Sequence, residues 1–113
     1  MSLSKRALFA PQRTLAFGSI GAGYTAIGTA IPYPIRILTV NNLTNGDLQF
    51  SIDGITDHFA VGRGGGVVYD IAGNRTGVSD ELYLAENTTL YVKQIETPTE
   101  GSVYVSVLYG RND

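Results

Sequence analysis

The sequence has 113 residues, a net charge of -2 at neutral pH, no cysteine and a single histidine. This length suits one domain with a modest core, and the lack of cysteine excludes disulfides and thiolate metal sites. One histidine excludes most zinc sites and most catalytic triads, so the composition argues against the commonest enzyme chemistries.

The N-terminal part of the chain is basic and the rest is acidic. Residues 1–36 carry four cations and no acid, whereas residues 37–113 carry four cations and ten acids. Four scattered cations without interleaved aromatic residues are a weak nucleic-acid footprint, so this pattern does not favour nucleic acid as a partner. An arm that lies on an acidic protein surface is the better interpretation.

Residues 1–13 are predicted to form an N-terminal arm, and residues 14–113 a β-sandwich domain. The arm has too little apolar surface to fold alone, yet it holds large apolar residues that are costly to leave in water. We expect it to dock on a partner and to contribute to assembly rather than to the fold of the domain. Its apolar anchors are Leu3, Leu8 and Phe9, and its charged contacts are Lys5, Arg6 and Arg13.

Alternating residues predict strands through the middle of the chain. Residues 35–42 (IRILTVNN) alternate, and residues 47–53 (DLQFSID) place Leu48 and Phe50 on one face. Between them, Asn45 and Gly46 form the dipeptide most typical of a two-residue β-hairpin turn. These two strands are therefore predicted to form a β-hairpin.

The stretch GRGGGVVYD at residues 62–70 has the glycine content of a phosphate-binding loop. Phosphate loops present backbone N–H groups at the start of a helix, with Lys and Ser or Thr nearby. Here β-forming residues follow the glycines, so we predict a turn between two strands. Arg63 is then a solvated loop charge or an anchor to a partner.

The last third predicts two further strands, at residues 89–96 and 101–110, and both faces of the second are largely apolar. One face is expected to pack on the core and the other, which holds Tyr104, to be partly covered by a neighbouring subunit. About seven to nine short strands with regular turns predict an all-β fold, a single-domain β-sandwich of the jelly-roll or immunoglobulin-like kind or a small barrel. The predicted core residues are Ile37, Leu48, Phe50, Val92, Val105 and Val107.

Candidate catalytic and metal-binding groups are few. Asp53, Asp57 and His58 lie close together in SIDGITDHF, but neighbours in an extended strand point to opposite faces. A calcium site from Asp47, Asp53 and Asp57 lacks the EF-hand spacing, and no carboxylate pair stands out for glycoside cleavage. We therefore expect no enzyme activity, no cofactor and no metal.

No stretch approaches the roughly 18 apolar residues of a membrane span, and the N-terminus lacks the pattern of a secretory signal. These features predict a soluble protein that is made in a reducing cytosol and does not contact a membrane.

Four segments carry a resemblance to a known group of proteins. GYTAIGTAI, PIRILTVNNLTNGDLQFSIDGITDHFAV, GGGVVYDI and LYVKQIETPTEGSVYVSVLYG follow one another in this order. Together they resemble the small β-sandwich virion proteins that many tailed bacteriophages encode, over roughly residues 14–110. Members are usually known as particle components and none of these segments is a catalytic motif. The resemblance therefore implies a structural role and no particular place on the particle.

The expected function is a non-enzymatic virion protein that is made in the host bacterial cytoplasm and forms a homo-oligomer on the particle. A capsid decoration or cement protein that docks on neighbouring capsid subunits is the first expectation, and a neck or tail component, such as an adaptor ring or a fibre-docking protein, is the alternative. A carbohydrate-binding module stays open, and Tyr91 and Tyr104 on one exposed face would favour it. The predicted partner-binding residues are Leu3, Lys5, Arg6, Leu8, Phe9, Arg13, Arg63 and Tyr104.

Overall fold

The protein folds into two antiparallel β-sheets, which confirms the predicted all-β single-domain sandwich. The computed structural model describes residues 5–70 and 87–112. A single turn of 3-10 helix, Phe17–Ser19, follows the second strand. The strands are β1 (Lys5–Phe9), β2 (Arg13–Ala16), β3 (Thr25–Ala26), β4 (Ile37–Asn42), β5 (Leu48–Ser51), β6 (Phe59–Val61), β7 (Gly66–Asp70), β8 (Tyr91–Gln94) and β9 (Ser102–Asn112).

The long strand β9 organises the first sheet. Sheet A has the order β1-β9-β4-β7, and β2 also pairs with β9, on the same side as β1. Sheet B has the order β3-β8-β5-β6. The described residues contain no helix with the length and apolar character that a membrane crossing requires.

The core lies between the two sheets and is built from the inward residues of their central strands. Five of the six predicted core residues are buried as expected, namely Leu48, Phe50, Val92, Val105 and Val107. The prediction for Ile37 is wrong, because this residue is half-buried on the outward side of β4, while its neighbour Leu38 is buried. Both the odd and the even positions of IRILTVNN carry apolar residues, so the pattern does not show which set faces the core. A shift of one residue exchanges the two faces of the strand.

The predicted hairpin around Asn45 and Gly46 is also wrong, because β4 belongs to sheet A and β5 to sheet B. A two-residue type I′ turn needs positive φ at both central residues, and neither of these two adopts it. A glycine is needed here for a different reason. A Cβ atom at position 46 would lie 2.7 Å from the backbone oxygen of Glu96.

A buried side chain holds this connection instead of a tight turn. Asn42 donates from Nδ2 to the carbonyls of Gly46 (2.8 Å) and Val61 (3.0 Å). Its Oδ1 accepts from the backbone N–H of Thr44 at 3.0 Å and from the Thr44 hydroxyl at 2.6 Å. These bonds satisfy both ends of a fully buried amide, which is why a polar residue is stable at that position.

The glycine-rich stretch forms the predicted turn. The N–H of Gly65 donates to the carbonyl of Gly62 at 2.9 Å, and Gly64 adopts a φ of +69°. A type II β-turn needs positive φ at its third residue, where glycine is unstrained. The turn leads from β6 in sheet B to β7 in sheet A, so it joins the two layers of the sandwich.

The N-terminal segment pairs along β9 rather than standing apart from the domain. The ladder runs from Lys5 opposite Asn112 to Phe9 opposite Leu108, and Ala10 is buried. The predicted boundary after residue 13 therefore falls inside strand β2, which also pairs with β9. Strand β4 pairs with β9 only as far as Leu108, so β1 supplies the only described ladder for the last four residues of β9.

Among the described residues, β1 and the end of β9 form a two-stranded ribbon where they extend past β4. The rings of Tyr33 and Tyr109 stack at its base, with centroids 3.8 Å apart and planes 3° from parallel. A two-stranded ribbon has little stability by itself, so this stacking fixes it to the sandwich.

Candidate interaction surface

The outward side of sheet A carries a row of apolar residues that crosses the strands. Phe9 of β1, Leu108 of β9 and Ile37 of β4 are successive cross-strand partners. Val68 of β7 lies one row away, opposite Thr39. Phe9 is 75% exposed and Val68 is 63% exposed. We call the outward side of β1, β2, β4, β7 and Ser102–Leu108 of β9 the outer face of sheet A.

Away from β1, this outer face has almost no charge. In β2, β4, β7 and Ser102–Leu108 of β9, the outward positions hold one charged residue, Asp70, at the end of β7. The remaining polar positions are Ser, Thr and Asn, with Tyr104 between its cross-strand partners Thr14 and Asn41. Neighbouring apolar residues that stay exposed in this way are typical of an interaction site.

The outward side of sheet B carries a polar cluster around Lys93. The Tyr24 hydroxyl donates to Asp57 Oδ1 at 2.5 Å, and Lys93 Nζ lies 3.0 Å from the same oxygen. Lys93 Nζ also lies 4.7 Å from the centre of the Tyr24 ring. Burial and the hydrogen bond to Asp57 raise the pKa of Tyr24 to about 12. The hydrogen bonds from Tyr24 and Lys93 lower the pKa of Asp57. Tyr24, Asp57 and Lys93 therefore form a polar cluster on this side whose groups satisfy one another.

Two of the predicted partner-binding residues, Phe9 and Tyr104, lie together on the outer face of sheet A. Leu8 is half-buried and alternates to the other side of β1. Leu3 lies outside the described residues, and Lys5 and Arg6 are placed in β1 by their backbone pairing alone.

Arg63 is engaged within its own chain. Its Nη2 donates to both carboxylate oxygens of Glu96, at 2.9 and 3.2 Å, and its backbone N–H donates to Asp47 Oδ1 at 2.9 Å. These contacts fasten the glycine turn to the start of β5 and the end of β8. The side chain is 61% exposed, so its predicted contact with a partner stays a prediction.

Arg13 also contacts its own chain. The guanidinium donates to the backbone carbonyls of Pro11 (2.9 Å), Thr29 (3.1 Å) and Ala30 (3.4 Å). Gly28 adopts a φ of +71° beside it, and a Cβ atom there would lie 2.9 Å from Arg13 Cγ. Arg13 therefore ties the loop after β3 to β2, and its role in partner binding is untested.

Three residues of this surface were not predicted from the sequence, namely Ile37, Val68 and Leu108. VVYDI and SVLYG have apolar residues on both faces of the predicted strands, which is a sign that their outward sides are also covered. The order of the strands in the sheet decides whether those outward residues become neighbours. Val68 and Phe9 are far apart in sequence and share a face because β9 and β4 lie between their strands.

The segment SIDGITDHF folds into a loop held by its own side chains. Asp53 Oδ1 accepts from the N–H groups of Thr56 (2.7 Å) and Ile55 (2.8 Å), and these bonds lower the pKa of Asp53 well below its usual range. His58 Nδ1 accepts from the N–H of Ile52 at 3.1 Å. Across residues 5–70 and 87–112, no three His, Asp or Glu side chains form a group that could hold a metal ion.

The two tyrosines proposed as a sugar platform lie on different sheets. Tyr91 is in β8 of sheet B and Tyr104 is in β9 of sheet A, each beside inward residues of its own strand. They therefore face away from each other on opposite sides of the sandwich, so these two rings do not form a shared stacking platform.

No protein-family model and no curated protein sequence matches the chain. Among solved structures, it is similar to the Dit protein of bacteriophage SPP1, which is described as a paradigm of the hub adsorption apparatus in phages that infect Gram-positive bacteria. The match has a TM-score of 0.40 and 13% sequence identity, and it covers 93% of this chain and 49% of that one. The chain thus spans about half the length of that protein. At this TM-score the likeness assigns no function to it.

Proposed function

We propose that the chain is a non-enzymatic structural protein of a tailed-bacteriophage particle, held in place by contact between the outer face of sheet A and another virion protein. The observation that carries the proposal is the contrast between the two outward sides of the sandwich. On sheet B the outward Lys93 is paired with Asp57, whereas sheet A exposes Phe9 and Val68, and their outward neighbours in β4 and in Ser102–Leu108 of β9 are uncharged. The four sequence segments that resemble phage virion proteins support the setting.

Apolar burial would supply most of the affinity. Burying one exposed side chain such as Phe9 or Val68 is worth about 1.5 to 3 kcal/mol, while an exposed ion pair gives about 0 to 1 kcal/mol. The apolar residues on the outer face of sheet A should therefore contribute more to the binding free energy than the charged residues predicted from the sequence. On a particle with many copies, modest single contacts are sufficient because they act together.

A substitution in the face tests this proposal. In a phage that lacks its own copy of this gene, complementation with Val68→Asp should lower the amount of the chain per purified particle about tenfold or more, because a buried unpaired carboxylate is strongly unfavourable. Ile55→Asp is the matched control, since Ile55 is an apolar residue that is 84% exposed outside sheet A. Incorporation of both variants at the wild-type level would refute the proposed surface.

The position on the particle is the finer part of the proposal. A capsid decoration protein should copurify with heads and be spread over the shell, whereas a neck or tail component should copurify with tails and label one site per particle. Antibody labelling of intact particles and of separated heads and tails distinguishes the two positions. An absence of the chain from heads, tails and intact particles would overturn the structural role itself.

A sugar-binding role makes a different prediction for the same molecule. If the outer face of sheet A binds a glycan through Tyr104, the isolated chain should bind on a glycan array and Tyr104→Ala should abolish that binding. The structural role predicts no such binding.

A further inference from the structure

The two outer edges of sheet A match each other in direction, length and charge. We infer that copies of this chain join head to tail, with β1 of one copy pairing antiparallel to β7 of the next, so that sheet A continues across the contact. The inference deepens the proposed function by naming a second copy as the partner of the N-terminal strand. It is tested on the purified chain, so it can fail independently of the particle experiment.

Strand direction is the first argument. Strand β1 is antiparallel to β9, β9 to β4, and β4 to β7, so β7 runs opposite to β1. When identical copies are set side by side in the plane of the sheet, β7 of one copy therefore meets β1 of the next in the antiparallel sense. Among the described residues, β1 pairs only with β9 and β7 pairs only with β4, so each presents one edge without a described partner strand that can template a further strand.

Length and register are the second argument. Strands β1 and β7 each have five residues. Pairing them over their full length places Lys5 opposite Asp70, Ala7 opposite Val68, and Phe9 opposite Gly66. All three pairs join outward positions of both strands, so the outer face of sheet A would continue from copy to copy without a change of face.

Charge is the third argument. The N-terminal edge strand begins with Lys5 and Arg6, and the opposite edge strand ends with Asp70. The full register sets a cation against this carboxylate, and opposite charges directly across an antiparallel pair are favourable. Two β1 strands paired antiparallel over their full length would instead place Lys5 opposite Phe9, with no opposite charge across it, so the charges favour head-to-tail over symmetric pairing.

The same register predicts an offset between neighbouring copies. Strand β1 pairs with Leu108–Asn112 of β9, whereas Asp70 of β7 lies level with Leu108 through Ile37. Each copy is thus displaced along the strands by about four residues, or about 13 Å. Such a contact joins two different patches, and an assembly of this type closes into a ring or extends as a filament.

Cysteine cross-linking tests the register directly, because the chain has no cysteine of its own. Ala7→Cys and Val68→Cys variants are mixed, oxidised and run on a non-reducing gel. Within one copy, β9 and β4 separate β1 from β7, a distance of about 14 Å, so only a contact between copies can form this disulfide. The matched control is Ala7→Cys mixed with Tyr69→Cys, whose side chains alternate to opposite faces.

We expect a cross-linked dimer from the 7/68 mixture and little from the 7/69 mixture. No dimer, equal dimer in both mixtures, or dimer from Ala7→Cys alone would overturn the inference. Sedimentation of the unmodified chain gives an independent check. The wild-type chain should self-associate. Lys5→Asp and Asp70→Lys should each weaken the association by up to about fivefold, which is the limit for one exposed ion pair. The double variant should restore the wild-type association. A wild-type chain that stays monomeric at high concentration, or charge variants without effect or rescue, would also contradict it.

Discussion

Replacing Phe50 by alanine should test the packing of the sandwich most severely. Phe50 is completely buried at the centre of sheet B, between cross-strand partners Phe59 and Val92. Its ring stacks on that of Phe59, with centroids 5.2 Å apart and planes 7° from parallel. The substitution removes a large apolar group and leaves a cavity that neighbouring strands cannot close without breaking their ladders.

The expected loss in the free energy of unfolding is about 3 to 5 kcal/mol. Domains of this size are stable by about 5 to 15 kcal/mol, so the variant should keep its fold with a much lower midpoint. For a chain of this length the melting temperature should fall by about 12 to 20 °C.

Urea unfolding followed by circular dichroism measures this loss, and the slope of the transition should stay unchanged. Ile55→Ala is the control, because Ile55 is 84% exposed and should change the free energy by less than about 0.5 kcal/mol. A loss below about 1 kcal/mol for Phe50→Ala would refute the packing of the core described above.

Three further substitutions test local parts of the structure. Gly46→Ala should lower the free energy of unfolding by about 1 to 3 kcal/mol, because its Cβ would meet the backbone beside it; Gly18→Ala, with open space around it, should change little in the same urea assay. Arg63→Ala should cost about 1 kcal/mol or less, and calorimetry should detect no ATP binding to the wild-type turn. Because the fold lowers the pKa of Asp57, this carboxylate stabilises the protein above its unfolded pKa, and the effect is lost as pH falls through the folded value; Asp57→Asn should weaken this acid dependence in thermal melts. The same variant should lower the pKa of Tyr24 from about 12 towards 10.0, followed by tyrosinate absorbance, and an unchanged titration would contradict the hydrogen bond between them.

Residue patterns predicted the strands of this protein better than their pairing. Phe50 and Val92 could be assigned to the core because polar residues alternate with them along their strands. Ile37 could not be assigned in this way, since Leu38 beside it is equally apolar. A local pattern does not contain the opposing sheet that decides between two such residues.

Connections between strands were predicted less well because the deciding contacts are distant in sequence. Gly46 suggested a hairpin, whereas its actual constraint is the backbone of Glu96, which follows the neighbouring strand β8 and lies far away in sequence. The interaction surface has the same origin. Phe9 alone looked like an anchor on a separate arm, and its neighbours Leu108 and Ile37 became visible only when β9 placed them in one row.

A map of the virion at side-chain resolution tests the central claim most directly. The account predicts that the outer face of sheet A, with Phe9, Ile37, Val68 and Tyr104, is covered by protein, while Asp57 and Lys93 on sheet B face solvent. A particle in which sheet B is covered and the outer face of sheet A is open to solvent would contradict it.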